Sequence, residues 1–306
     1  MASGTISRPT LTVFTPTWNR AHTLGRLYES LAGQSSDDFR WLIIDDGSTD
    51  GTRALVEGWM DEGRVAIEYR WQSNLGMHGA HNTAYRMIDT ELNVCIDSDD
   101  CMAPGAVAAI VDKWRRDGGP HYAGIVGLDA TMEGKMIGTR LPDFSTTLYG
   151  FYKRGGRGDK KLIYRTDVIT GVPEYPMFEG ENYVGLGYKY LIVDLEYELL
   201  TLNEPLCMVD YRPDGSSMNM YRQYFRNPRG FAFIRRESMC YHPSHRRRFV
   251  EAVHYVASSI IARDRNFLAA SPRIFLTLLA VPAGVALWGW LSFQYRRNKI
   301  MTPVAA

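Results

Sequence analysis

The chain has 306 residues, a hydrophobic share of 45%, an aromatic share of 12% and a formal net charge of +1. That length accommodates one large domain with an appendage, and the composition is that of a globular rather than a disordered chain. The near-neutral charge offers no broad basic field, so no nucleic-acid partner is expected. The four cysteines, Cys95, Cys101, Cys207 and Cys240, lack CxxC spacing, which argues against a disulfide framework or a structural zinc. The opening MASGTISRPT has no apolar stretch and predicts no signal peptide.

Strand and helix patterns then alternate: LTVF, HTLGRLYESLAG, FRWLIID, TRALVEGWM, RVAIEYRW, HNTAYRMI, NVCI, APGAVAAIVDKW and YAGIVGL. Pro104 falls near the first turn of the fourth helix, where its missing N–H costs nothing. The alternation predicts a doubly wound, mostly parallel α/β sheet, in which ligands bind beyond the carboxyl ends of the strands. Three strand ends carry polar residues that are expected to converge. They are Thr15, Pro16, Thr17, Trp18, Asn19 and Arg20 after the first, Asp45 to Ser48 after the second, and Asp97, Ser98, Asp99 and Asp100 after the fourth. TPTWNRA contains no glycine, which excludes the dinucleotide-binding turn, and no phosphate-cradling P-loop is present. Carboxylates packed as in CIDSDD raise each other's pKa unless a cation neutralises them, so this stretch points to a bound metal.

After Leu128 the pattern reads as loops with one strand at KLIYR. Glu179 and Glu181 flank Gly180 and form a second acidic pair, suited to acid or base work. FRNPRGFAFIRRESM and HRRRFVEAVHYVASSIIARDR predict amphipathic helices; in the second, Phe249, Val253, Val256 and Ile260 recur at spacings of three and four. From Ile274 to Phe293 no charge occurs, a length near the ~20 residues that cross a bilayer core as a helix. Pro282 and Gly284 interrupt it and arginines stand on both sides, so a re-entrant or interfacial element fits at least as well as a clean span. The expected organisation is a nucleotide-sugar-binding catalytic domain over 1–220, amphipathic helices over 221–270, and an apolar membrane-associated segment with a basic tail over 271–306.

With FTPTWNR after the first strand, LIIDDGSTDGT after the second, NLGMHGAHNTA before the fourth and CIDSDD at its end, the sequence resembles the family 2 glycosyltransferases of GT-A fold. Among them it is similar to bacterial cell-surface polysaccharide enzymes, over roughly the first two hundred residues. The resemblance implies metal-dependent, inverting transfer of a sugar from a nucleotide-diphosphate sugar, a UDP-sugar favoured, to a glycan or lipid-linked acceptor. It implies Asp97 at the ribose and Asp99, with Asp97 nearby, at Mn2+ or Mg2+. Asp46 would accept from a pyrimidine N–H, with the backbone around Thr15 and Pro16 framing the base and Thr17 beside them at the donor. Arg20, Asn74, His78, Asn82, Ser98 and Arg212 complete the implied donor contacts, Arg212 from a closing loop YRPDGSS. Glu181 is favoured over Glu179 as the base. Three departures from the family pattern stand out. Ala80, His81 and Asn82 replace A-R-N. FEGENY lacks the E-D pair. QYFRN carries Asn227 in place of the tryptophan of Q-x-x-R-W, which favours single additions over polymerisation. The apolar C-terminal segment implies attachment at the cytoplasmic face of the cell membrane. The rival reading is a membrane-attached protein that binds nucleotide sugar or partner enzymes without catalysis.

Overall fold

The computed structural model describes residues 8–210 and 220–301. Strand and helix alternate through β1 (Leu11–Thr17), α1 (Ala21–Ala32), β2 (Phe39–Asp45), α2 (Thr52–Glu62), β3 (Ile67–Trp71), α3 (Gly76–Met87) and β4 (Leu92–Cys95). β1 pairs in parallel with both β2 and β4, and β2 with β3. Trp41, Leu42, Ile43 and Ile44 are wholly buried in succession, the run expected of a strand covered on both faces. On one face Tyr28 of α1 and Trp59 of α2 stack at 4.4 Å, and Trp59 stacks on Trp41 at 6.0 Å.

The chain continues through β5 (Cys101–Met102), α4 (Ala106–Asp117), β6 (Tyr122–Thr131), β7 (Ser145–Thr146), α5 (Leu148–Lys153), β8 (Lys160–Arg165), α6 (Thr166–Gly171), α7 (Gly187–Val193) and β9 (Glu198–Val209). Here the sheet departs from the parallel pattern. β8 inserts antiparallel between β4 and β6, and β9 runs parallel to β6 but antiparallel to β5 and β7. The order is β3-β2-β1-β4-β8-β6-β9-β5, with β7 on β9, so the sheet is mixed. β9 is a twelve-residue strand that the sequence pattern hid, because Asn203, Glu204 and Pro205 sit in its middle. Register shifts against β6 around Leu128 absorb the proline.

Two compact units result: Met1–Glu174 with Val193–Asp210, and Tyr175–Ile192 with Tyr211–Ala306. The second unit contains α8 (Met220–Arg226), α9 (Pro228–Tyr241), α10 (His245–Ala262) and α11 (Ile274–Met301). Pro228 opens α9 at a position where no N–H is required, and the Ser244 hydroxyl caps α10 by accepting from Arg247 N. α11 is continuous through Pro282, so the apolar segment is not broken as its proline and glycine suggested. Pro282 removes one backbone donor and is itself exposed. Thr277, Ala280, Gly284 and Leu291, spaced by three, four and seven, form the buried stripe of α11. A Cβ on Gly284 would lie 2.5 Å from Val256 Cβ and 3.0 Å from the Val253 carbonyl, so glycine is what lets α11 sit against α10. Between Ile274 and Phe293 the rest of α11 presents an open apolar surface: Phe275 is 86% and Leu279 72% exposed.

Candidate active site

The parallel strands of the first unit end side by side, and hydrogen bonds lash their loops together. Asn19, held at φ 53, donates its N–H to Ser48 Oγ at 2.8 Å, and its Oδ1 accepts from Thr49 N at 2.8 Å. Asparagine is among the few non-glycine residues that enter this left-handed region readily. Arg26 Nη2 of α1 donates to the Asp99 carbonyl and to Asp210 Oδ2, and Ile96 N donates to the Phe14 carbonyl. The loops after β1, β2 and β4 therefore meet, as the strand-end rule anticipates.

Within β1 the pleat sorts the expected residues. Thr15, Pro16 and Thr17 belong to the strand itself rather than to the loop after it. Thr15 is fully buried and its Oγ1 accepts from Trp41 Nε1 at 2.9 Å, so its side chain is spent in the core. Pro16 points its backbone toward β4, whose ladder with β1 has already ended at Cys95, and a residue without an N–H is tolerated there. Pro16 is partly open; Thr17 is 3% exposed, with a buried Oγ1 that has no hydrogen-bond partner. Trp18 is 55% exposed and Arg20 is the N-cap residue of α1.

The Asp46 carboxylate is engaged by donors of its own chain. Its Oδ1 accepts from Gln72 Nε2 at 2.7 Å and Leu75 N at 2.8 Å, and its Oδ2 from Gly76 N at 2.7 Å. Asn74 Nδ2 closes the knot on the Asp46 carbonyl. The carboxylate clamps the turn into α3, and one lone pair on Oδ2 remains for a ligand. Burial raises its pKa against the pull of these donors. Gly47, at φ +89, passes under this turn: a Cβ there would lie 3.0 Å from Asn74 N. In α3 itself His78 and Asn82 are buried. Neither ring nitrogen of His78 has a hydrogen-bond partner, and burial, with His81 beside it, lowers its pKa to about 4. At 1% exposure its imidazole is closed off from solvent.

The acidic turn after β4 divides its labour. Asp97 is exposed, Asp99 half-buried, Ser98 and Asp100 buried. Asp100 accepts from Asp210 N at 3.2 Å and from Cys207 Sγ at 3.7 Å, and burial pushes its pKa up to about 7. Two residues that the sequence reading passed over join this turn. Asp129 of β6 is 3% exposed, has an Oδ1 without a partner, and is raised in pKa by burial. Burial works against the charge of Lys161 on β8, but Cys207, Asp129, Asp97 and Asp100 around it hold its pKa well above the usual lysine value. Asp129 is the one acid of an otherwise apolar β6, and Lys161 is the second of two adjacent lysines that open β8, a weak signal in either case.

A divalent cation fits these donors. Asp97 and Asp99 offer hard oxygens on a solvent-facing turn, and Mg2+ or Mn2+ sites that share phosphate oxygens need only one or two protein carboxylates. Among the described residues no three His, Cys, Asp or Glu side chains are grouped as a ready-made cage.

In the second unit Glu181 and Glu179 sit in the loop before α7. Glu181 Oε1 accepts from Arg229 N and Arg229 Nε, both at 3.0 Å, and Oε2 accepts from Gly230 N at 2.9 Å. Its carboxylate, 5% exposed, thus caps the N-terminus of α9. Glu179 is exposed, and Arg229 Nη2 grips its carbonyl rather than its carboxylate. Of the two, Glu179 has the open oxygens. Arg212 and the YRPDGSS loop lie outside the described residues.

The model of the family described as glycosyl transferase family 2 matches residues 12–169, just over half of the 306-residue chain. The chain belongs to glycosyl transferase family 2. It is similar to chondroitin synthase of Escherichia coli, 36% identical over 117 residues that make up 38% of this chain and 17% of that protein. It is also similar to the GalNAc(5)-diNAcBac-PP-undecaprenol beta-1,3-glucosyltransferase of Campylobacter jejuni, 27% identical over 38% of each chain. The chain spans about half or less of the length of the first curated relatives it matches, 52%, 17% and 27%. Among solved structures, S. aureus TarS 1-349 in complex with UDP-GlcNAc superposes with a TM-score of 0.63 at 16% identity, over 94% of this chain and 92% of that one. The mannosyltransferase PcManGT from Pyrobaculum calidifontis, in complex with GDP-Man and Mn2+, gives 0.54 at 16%, over 97% and 82%. At such identity the likeness shows the fold, which is GT-A.

Proposed function

We propose that this family member transfers a sugar from a nucleotide-diphosphate donor, a UDP-sugar favoured, to a glycan or lipid-linked acceptor in bacterial surface polysaccharide synthesis. The observation that carries the reading is the Asp97–Asp99 turn, with Asp97 exposed and Asp99 half-buried, where the strand-end loops meet. Asp97 and Asp99 would hold Mn2+ or Mg2+, which supplies charge neutralisation for a diphosphate leaving group. Divalent metal use is supported by the solved GT-A neighbour with GDP-Man and Mn2+. We assign the base to Glu179, whose carboxylate is open, and a positioning role to Glu181 and Arg229, which fix its loop. In the inverting step the acceptor oxygen bonds to the anomeric carbon as its proton passes to Glu179. The bond from that carbon to the phosphate oxygen breaks, and its electron pair leaves with the nucleoside diphosphate.

α11 has 24 residues of membrane-grade hydropathy, about 36 Å of helix. Along its length it is packed in turn against Met239 of α9, Val256 of α10 and Phe225 of α8, helices that also carry many arginines. Crossing a bilayer would carry those charges into hydrocarbon, at a cost of roughly 2.5–3.5 kcal/mol for each one at the centre. Lying in the interface leaves them in water and buries only the open apolar face. We read α11 as an in-plane anchor at the cytoplasmic face of the membrane, where a lipid-linked acceptor is met.

The test is nucleotide release from UDP-, GDP- and dTDP-sugars with Mn2+, Mg2+ or EDTA, comparing wild type with Asp99→Ala and Glu179→Gln. Metal-dependent turnover of one donor, lost in both variants, is expected. Donor binding without turnover, even with lipid-linked acceptor present, would move the assignment to a non-catalytic nucleotide-sugar-binding protein.

A further inference from the structure

Beside the C-terminal half of α11 the second unit carries a cavity of about 370 Å³ lined by Glu181, Phe225, Arg226, Arg229, Ile261 and Arg263, among others. The charge of Arg229 is met by Glu181. Arg226 and Arg263 are exposed, and among the described residues neither guanidinium has a carboxylate partner. The cavity therefore holds two uncompensated positive charges, each with a forked donor geometry suited to phosphate. Arg263 makes this more pointed. It closes α10 at φ 57 and ψ 30, in the left-handed region where helices usually end on glycine or asparagine. A strained arginine at a ligand-sized cavity is the kind of outlier that marks a site.

The cavity floor also belongs to the anchor. Phe225 stacks on Tyr295 of α11 at 4.4 Å, and Ile261 packs in one cluster with Leu287 and Leu291. Trp288 and Trp290 are exposed just past the middle of the helix, and tryptophan is the residue type enriched at headgroup level. We propose that this arginine-lined cavity binds the phosphate of an anionic lipid headgroup. The inference rests on the in-plane reading of α11, which sets the cavity at headgroup depth, where basic pockets beside membrane helices take phosphate.

The experiment measures binding of the full chain to vesicles of phosphatidylcholine alone and of phosphatidylcholine with phosphatidylglycerol. Wild type is expected to prefer the anionic vesicles. Arg226→Gln and Arg263→Gln should each weaken anionic binding about 5-fold and together ~30-fold, with binding to neutral vesicles and the circular dichroism spectrum unchanged. Arg246→Gln with Arg265→Gln removes the same charge outside the cavity and should preserve the preference. Retention of the preference in the cavity double variant, or its equal loss in the control pair, overturns the proposal. So does binding of inorganic phosphate with the same arginine dependence alongside an unaffected vesicle preference, which would assign the cavity to a soluble anion. Failure of wild type to bind neutral vesicles at all would instead sink the in-plane anchor, a separate result.

Discussion

Glu181→Gln separates the two glutamates. The substitution keeps the shape of the side chain but turns a carboxylate that accepts three hydrogen bonds into an amide with one acceptor oxygen. On the Gly230 and Arg229 sides, one backbone N–H of the first turn of α9 then faces an NH2 group or goes unpaired. Loss of an N-cap costs about 1 kcal/mol, and loss of a charge-assisted bond to a guanidinium in a site only 5% exposed adds a comparable amount. The expected destabilisation is about 2 kcal/mol, read from urea unfolding followed by far-UV circular dichroism. Turnover should fall only in proportion to the slackening of the loop. Glu179→Gln should do the reverse: stability within about 0.5 kcal/mol of wild type, with kcat down about a hundredfold to ten-thousandfold, the range for loss of a general base. Nucleotide release under saturating donor and acceptor measures the second quantity. If Glu181→Gln abolished turnover while leaving the unfolding curve unmoved, the assignment of cap and base would have to be exchanged.

Two further consequences concern stability. His78 is neutral in the fold, with a pKa of about 4 against an ordinary value of 6.5. Its depressed folded pKa means the stability present above pH 6.5 is lost as pH falls toward 4, by up to about 3 kcal/mol. His78→Leu should flatten that limb of the stability–pH curve and, by removing two buried unpartnered nitrogens, raise stability at pH 7 by about 1 kcal/mol; an unchanged acid limb would exonerate this histidine. Gly284→Leu should part α11 from α10, since its Cβ alone would meet Val256 at 2.5 Å, costing about 1–3 kcal/mol of overpacking. Protease cleavage within α11 in detergent should then accelerate, whereas cleavage at the wild-type rate would mean that the two helices do not need this close approach.

What could be read from the chain, and what could not, follows from the range of the forces involved. The β1-to-β4 half was legible because each element announces itself locally: strand-length apolar runs such as FRWLIID separated by helices of 3.6-residue period. β8 was visible as KLIYR, but its place between β4 and β6 was not, since antiparallel insertion is decided by partners some seventy and forty residues away. β9 escaped because a proline inside a strand argues against one locally, and only the bulged register with β6 makes it acceptable. The strand-end rule found the loops that meet but could not sort the residues on them. Within β1 both faces are buried, so no polar alternation revealed that Thr15 points to Trp41 while Pro16 lies beyond the end of β4. Asp46 and Glu181 share a lesson: each is an acid at a position suited to ligand chemistry, and each is turned inward by backbone N–H groups roughly thirty to fifty residues along the chain. The donors that claim a carboxylate are the part of a site that spacing does not encode. For the same reason Asp129 and Lys161, which have no motif around them, became visible only once β6 and β8 set them beside the acidic turn. An acid that stays exposed, as Asp97 and Glu179 do, is therefore a better guide to chemistry here than an acid in the expected place.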